Sequence, residues 1–472
     1  MPAKVFGAQK IVDHVVQASY WTENWLKIGW LGVRRGPWGA ANALRKYPWM
    51  WNIMMANRLL DMVTRTRSGP YMEANAVVLS NIVSSILGTV NNMLARPRET
   101  VLHEDLIPPE ILKGMGLNPW MAEFLGIIVP LINTKSMEHY IDVAENEGIP
   151  PDVCSLPKST MGLVLEGEMP QPIAAVASNM PCDGGMSSYA LIEREMKVPT
   201  FRLDVPYDFY SERAVEYFVG ELKRMIAWLE EHTPGRMDWD RLRAVCDERN
   251  QYVELEYELW DMLRERPAPM AAEAVYLNHL MWGIALPGDP RGTNTMRKVV
   301  EFAREVRKRG GAVPNEKYRV ILWNPPTLIF PELFVWAEQA YGAAMIMDML
   351  TYHRHPFIDT STPDTMLRGL SQTIMQGPMA RHTRGPAANF FGDLFHMYER
   401  FDIDMIWMAA HIGCKNTQAL MGMFREKCRE RGIPLLAIDY DLSDTRIVPP
   451  EDMRGQVERF METVMKAERL DK

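Results

Sequence analysis

The stretch "PIAAVASNMPCDG" occupies residues 172–184, and "IDMIWMAAHIGCKN" occupies residues 403–416. Each is an apolar run of strand length that ends at a cysteine, Cys182 in the first and Cys414 in the second. The chain has only five cysteines, so two of them in the same slot set a pattern to follow outward. A helical pattern follows each cysteine, and then "KVPTFRLDVPYD" in one case and "RGIPLLAIDYD" in the other. Cys182 precedes Asp204 by 22 residues, and Cys414 precedes Asp439 by 25. Strand, cysteine, helix, strand and aspartate therefore occur twice, a weak internal duplication of a βαβ unit. The cysteine in a common slot distinguishes these two units from any pair of βαβ units.

Between and around these units, short apolar runs alternate with helical patterns from "HEDLIPPEIL" onward. "EFLGIIVPLI" is a candidate strand region, "SMEHYIDVAENEGIP" a helix, and "TFRLDVPY" a strand. A long helical stretch runs from Ser211 to about Arg266, broken at "HTPGR". Alternation resumes with "RVILW" as a strand, "PELFVWAEQAYG" as a helix and "AAMIMDML" as a strand. A loop-rich section from His353 to Arg384 follows. Residues before 96 read as helices, with breaks at "RRGPWG" and "RSGP". The expected fold class is α/β: two Rossmann-like parallel-sheet domains, a helical middle segment and an N-terminal helical extension. The expected boundaries are 1–95 for the extension, 96–210 for the first α/β domain, 211–312 for the helical segment and 313–472 for the second α/β domain.

Composition bounds the function. The chain has 472 residues, 47% hydrophobic and 24% charged, with net charge −8 and pI near 5.8. That length supports a large core and more than one domain. The charge argues against a nucleic-acid partner, which calls for a basic face. No uninterrupted apolar segment reaches the roughly 18 residues of a membrane span, and the N-terminus lacks a secretory pattern. The expectation is a cytoplasmic protein with no membrane partner. An odd, sparse set of cysteines argues against a disulfide framework. Methionine is abundant at 35 residues and reads as adaptable core packing. Trp21 and Trp25 are four residues apart and share a helix face, suited to internal packing or to a subunit contact.

A cysteine after a strand of an open α/β sheet points into the crevice where ligands bind. It also lies beside a helix N-terminus, which favours its thiolate. Cys154, in "GIPPDVCSLPKSTMG", has the same setting, with Ser155 as the expected N-cap. Cys246 and Cys428 lie inside helical patterns and read as structural. Three thiols on separate loops admit several readings: unrelated buried cysteines, a zinc site, an iron–sulfur cluster with one open iron, or one nucleophile among them. Zinc prefers a fourth ligand and CxxC pairs, and the chain has no CxxC.

"IPPDVCSLPKSTMG", "NMPCDGGMSSYALIEREMKVPTFRLDVPYD" and "HIGCKNTQALMGMFREKCRERGIPLLAIDYDLSDTR" together resemble the 2-hydroxyacyl-CoA dehydratase family. That family also contains the subunits of ATP-dependent benzoyl-CoA reductases. The likeness runs from "HEDLIPPEIL" to the C-terminus and leaves the N-terminal helices uncovered. It implies a [4Fe–4S] cluster held by Cys154, Cys182 and Cys414. It also implies a second homologous subunit, a separate ATP-hydrolysing iron–sulfur activator and an acyl-CoA substrate. The implied activity is loss of water from a 2-hydroxyacyl-CoA through a ketyl radical after one-electron activation. Ring reduction of the benzoyl-CoA type, or a non-catalytic electron relay, are the alternatives. Catalytic residues are not read from the sequence.

Other polar groups weigh less. His353 and His355 in "TYHRHPFIDTSTPD" read as loop or surface residues before metal ligands. Arg381, His382 and Arg384 in "QGPMARHTRGPAANFF" suit either a solvated loop or a flexible basic loop for CoA phosphates. His411, three residues before Cys414, suits a structural role, with proton transfer as the sharper reading. "GDPRGTN" carries no dinucleotide or Walker pattern, so no nucleotide site is expected on this chain.

Overall fold

The computed structural model describes residues 5–55, 67–309, 316–324, 330, 332–354 and 356–470. Among the described residues, eight strands form two sheets. The first contains β1 (Thr100–His103), β2 (Asn118–Met121), β3 (Ala174–Ser178) and β4 (Thr200–Leu203). The second contains β5 (Tyr318–Trp323), β6 (Ala343–Asp348), β7 (Met405–His411) and β8 (Leu435–Tyr440). Every pairing is parallel, and the orders are β2-β1-β3-β4 and β6-β5-β7-β8. The two sheets therefore share one topology, as the repeated strand–cysteine unit suggests. In each, the order reverses between the first and third strands, and that reversal opens a crevice beyond the carboxyl ends. Cys182 follows β3 and Cys414 follows β7, so both sit beside this switch point.

The sheets are buried on both faces, as parallel sheets require. Alternate residues serve opposite faces. Val101, Ala174 and Val176 join one apolar cluster, while Leu102, Ala175 and Ala177 join a larger one that also contains the second sheet. Pro119 is tolerated within β2 because β2 is an edge strand. The middle of the chain is helical, as expected. Helix Glu212–His232 is capped by Ser211, whose Oγ accepts from the Ala214 N–H at 3.2 Å. It buries Phe218, Leu222, Met225 and Leu229 along one stripe.

Two expected elements need correction. "EFLGIIVPLI" contains no strand; it forms helix Phe124–Ile132, and the strand precedes it at 118–121. A short continuous apolar run has no period that separates a buried strand from a buried helix. The section 353–384 is not mostly loop. It holds helix Pro363–Gln376 and a π-helical turn at Met379–Arg384. Thr362 caps that helix reciprocally with Thr365, and Pro363 opens it. At the N-terminus, helix Val5–Lys46 is interrupted by Gly36, with φ 69°, and Pro37, which is the break read at "RRGPWG". Helix Pro70–Ala95 is apolar and long enough to cross a bilayer, but most of it is buried in the core.

Candidate functional site

Cys154, Cys182 and Cys414 occupy one local position. Each is the residue immediately before a helix: Ser155–Leu165, Asp183–Met196 and Lys415–Glu430 respectively. Ser155 is thus the first helical residue, not the expected cap, and its buried hydroxyl has no partner. The cap slot normally takes a small oxygen side chain that accepts a free helix N–H. At Cys182 sulfur takes that place, and the Gly185 N–H donates to its Sγ at 3.4 Å; Cys154 and Cys414 hold the cap position without such a bond.

Each of the three sulfurs has one partner of its own. The Thr417 hydroxyl donates to Cys414 Sγ at 3.0 Å, and His411 Nε2 lies 3.1 Å from Cys154 Sγ. The Cys154 and Cys414 loops touch. A Cβ on Gly413 would lie 2.7 Å from the Cys154 Cα, so only glycine permits the approach. Lys415 and Asp152, 2.8 Å apart, pair across the same two loops. The sulfurs also sense one another. Burial raises the Cys154 thiol well above its usual range, and Cys414 and Cys182 raise it further. Burial, with Asp105 and Cys414, pushes Cys182 up to about 11.

These shifts correct the expectation of thiolates prepared by helix dipoles. Desolvation outweighs the dipole, so Cys154 and Cys182 are held as thiols unless a positive group lies among them. The same fact disfavours a nucleophilic Cys154, although His411 and, 3.7 Å behind it, Asp441 form a file leading to that sulfur. A nucleophile needs a lowered pKa. Cys246 and Cys428 are buried inside helices, matching their structural reading.

A second group of residues escaped the sequence reading. Glu104 and Asp105 follow β1, and Glu123 follows β2, all at the carboxyl edge of the first sheet. Ser178 Oγ donates to Glu104 at 2.5 Å, and Tyr189 Oη donates to Glu123 Oε2 at 3.3 Å. Burial, with the charge of Asp105, pushes the Glu123 carboxyl up to about 8 and the Glu104 carboxyl well above its usual range. Asp105 and Glu123 both raise Cys182, and Glu123 raises Glu104, so these acids lie within electrostatic reach of Cys182 and of one another. The signal in sequence was an acidic residue one or two positions past a strand end, visible only once β1 and β2 are located.

Other sequence candidates fall elsewhere. His353 is not on the surface. It is buried with Glu256 and His279, with Glu256 Oε2 2.5 Å from His353 Nε2 and Oε1 2.6 Å from His279 Nδ1. The trio offers a donor set for a cation, and equally a carboxylate that accepts from two imidazoles. His355 lies outside the described residues. Arg381 and His382 are buried, and both bond Asp393 Oδ2 at 2.7 Å, so they are not a flexible phosphate loop. Arg384 reaches the crevice edge, 3.3 Å from Asp183 in the helix after Cys182.

Residues 106–464 match the family described as 2-hydroxyglutaryl-CoA dehydratase, D-component. The chain belongs to this family. A benzoyl-CoA reductase component from Thauera aromatica is 26% identical over 351 residues, 68% of this chain and 78% of that protein. The (R)-2-hydroxyisocaproyl-CoA dehydratase alpha subunit from Clostridioides difficile is 18% identical, with 70% and 82% covered. Lactoyl-CoA dehydratase subunit alpha from Anaerotignum propionicum is 20% identical, with 75% and 88% covered. All three relatives are subunits of acyl-CoA enzymes, so this dehydratase-family chain is similar to components of larger complexes.

Proposed function

We propose that this chain is the cluster-bearing component of a 2-hydroxyacyl-CoA dehydratase. It would act in the cytoplasm alongside a homologous subunit and an ATP-hydrolysing iron–sulfur activator. The observation that supports the reading is three cysteines in helix-cap positions on loops that touch, each sulfur with its own hydrogen-bond partner. Cys154, Cys182 and Cys414 would hold a [4Fe–4S] cluster; its positive iron would offset the mutual repulsion of the three sulfurs. When bound, such a cluster supplies a one-electron donor and an open Lewis-acidic iron to the acyl thioester.

The chain's own residues do the rest. The Gly185 N–H, the Thr417 hydroxyl and His411 disperse charge on the sulfurs. Glu123 and Glu104 hold protons near neutral pH, and Glu123 lies within electrostatic reach of Cys182. A protonated carboxyl there can donate to a departing hydroxyl, the step that elimination of water needs. A second reading is a ring-reducing component, favoured by the 26% identity to a benzoyl-CoA reductase. Product analysis with the activated complex separates the two: an enoyl-CoA from a 2-hydroxyacyl-CoA supports the first, and a ring-reduced thioester supports the second. Turnover by the activated partner alone would contradict both.

A further inference from the structure

The N-terminal helix Val5–Lys46 lies before the family match, which begins at residue 106. Its packed side mixes apolar and polar contacts with the rest of the chain. Ile28 joins the core with Val16 and Tyr20 against it, while the Ser80 hydroxyl donates to Asn24 Oδ1 at 3.2 Å and Lys27 Nζ donates to Ser84 Oγ at 2.6 Å. The opposite side is apolar and open. Leu26 is 69% exposed, Trp30 61%, Val33 70%, and Trp38, past the Gly36 kink, 84%. Leu26, Trp30 and Val33 recur at spacings of four and three, so they form one stripe. Trp21 and Trp25 flank it, edge to face, with ring centroids 5.8 Å apart.

The charge of this segment is net positive. Residues 1–55 contain seven Lys or Arg and two Asp or Glu, on a chain whose net charge is −8. Asp13 is buried, and Glu23 is paired with Lys27 at 2.6 Å. Arg34, next to Val33 of the stripe, is exposed, as are Arg45 and Lys46 beyond the kink. Tryptophan on an apolar stripe with cations at its edge is the composition of a helix that lies in a bilayer interface. A second copy packed on the same patch would set like charges against each other. The expectation of no membrane partner rested on the lack of a clean spanning segment, and a helix lying flat needs none.

We propose that this face docks the protein onto an anionic lipid surface. The helix is the contact, with its tryptophans in the headgroup layer and its arginines on lipid phosphates. The test is co-sedimentation of the full chain with vesicles of phosphatidylglycerol and phosphatidylcholine, against vesicles of phosphatidylcholine alone. The proposal expects pelleting with the anionic vesicles, loss of pelleting in raised salt, and a blue shift of tryptophan emission. Reversing Arg34 and Arg45 (Arg34→Glu, Arg45→Glu) should weaken binding roughly tenfold or more. Leu26→Ser with Trp30→Ser, both on exposed positions, should weaken it while circular dichroism stays unchanged. No pelleting with anionic vesicles, or pelleting that ignores lipid charge and the Arg variants, overturns the proposal. So does a fall in solution mass for the Leu26/Trp30 variant without any vesicle binding by the parent chain, since a protein then covers the face.

Discussion

The imidazole Nε2 of His411 lies 3.1 Å from the sulfur of Cys154, although 257 residues separate them. The contact joins the end of β7 in one sheet to the loop before helix Ser155–Leu165, which precedes β3 of the other. A hydrogen bond to a cluster sulfur stabilises its reduced, more negative state. His411→Phe removes that donor at similar bulk. The reconstituted variant should hold iron as the parent does but show a lower midpoint potential in a reductive titration followed by electron paramagnetic resonance. An unchanged midpoint would assign His411 to packing alone.

Thr417 links the same site to a strained residue. Its hydroxyl donates to Cys414 and accepts from Asn324 Nδ2 at 2.6 Å. Asn324 follows β5 directly with φ 88°, a backbone region that non-glycine residues enter rarely. Thr417→Val leaves a buried amide donor with one partner fewer, at a cost of about 1–3 kcal/mol, and it should also lower the midpoint. Asn324→Gly relieves the strained φ and leaves Thr417 free to donate, so its midpoint should move less. Urea denaturation and the same redox titration read both effects, and equal midpoint shifts in the two variants would argue against the relay.

The buried acid Glu123 gives the fold a pH signature. Its carboxyl rises to about 8 from an unfolded value near 4.5. The folded chain therefore binds the extra proton between those values. Stability from this group is fully present below about 4.5 and lost as pH rises through 8. Glu123→Gln cannot ionise, so its stability should fall less between pH 5 and 9, by on the order of a few kcal/mol. Parallel slopes for parent and variant in urea midpoints across that range would contradict the assignment.

Glu256 has the opposite sign. Burial raises it, but His279 and His353 more than compensate and hold it at about 2. Its stabilisation is present above about 4.5 and lost as pH falls through 2. Glu256→Gln should destabilise the chain by about 3–5 kcal/mol near neutrality, because a buried imidazole partner loses its counter-charge. Near-UV circular dichroism under urea checks this. A variant as stable as the parent would show that the trio contributes little to the fold.

What the sequence revealed was mostly backbone logic. The apolar runs ending at Cys182 and Cys414 located β3 and β7, and the repeated unit pointed to two parallel-sheet domains, whose shared strand order only the structure shows. The cap position of Cys154 was nearly legible but shifted by one residue, since Ser155 is the better capping side chain by type. The acids Glu104, Asp105 and Glu123 were hidden because β1 and β2 are four residues long and carry no clear alternation. His353 misled because its partners, Glu256 and His279, lie 97 and 74 residues away, and only tertiary packing joins them. Desolvation of the half-buried Cys154 and Cys182, which reverses the expected thiolate character, is likewise a property of the packed crevice.

Iron and acid-labile sulfide in anaerobically purified protein test the central claim most directly. The parent chain should carry about four of each per chain, and alanine at Cys154, Cys182 or Cys414 should each abolish most of that content. Cys246→Ala and Cys428→Ala should retain it. A parent without iron, or a triple variant Cys154→Ala/Cys182→Ala/Cys414→Ala that still holds its full complement, would contradict the account.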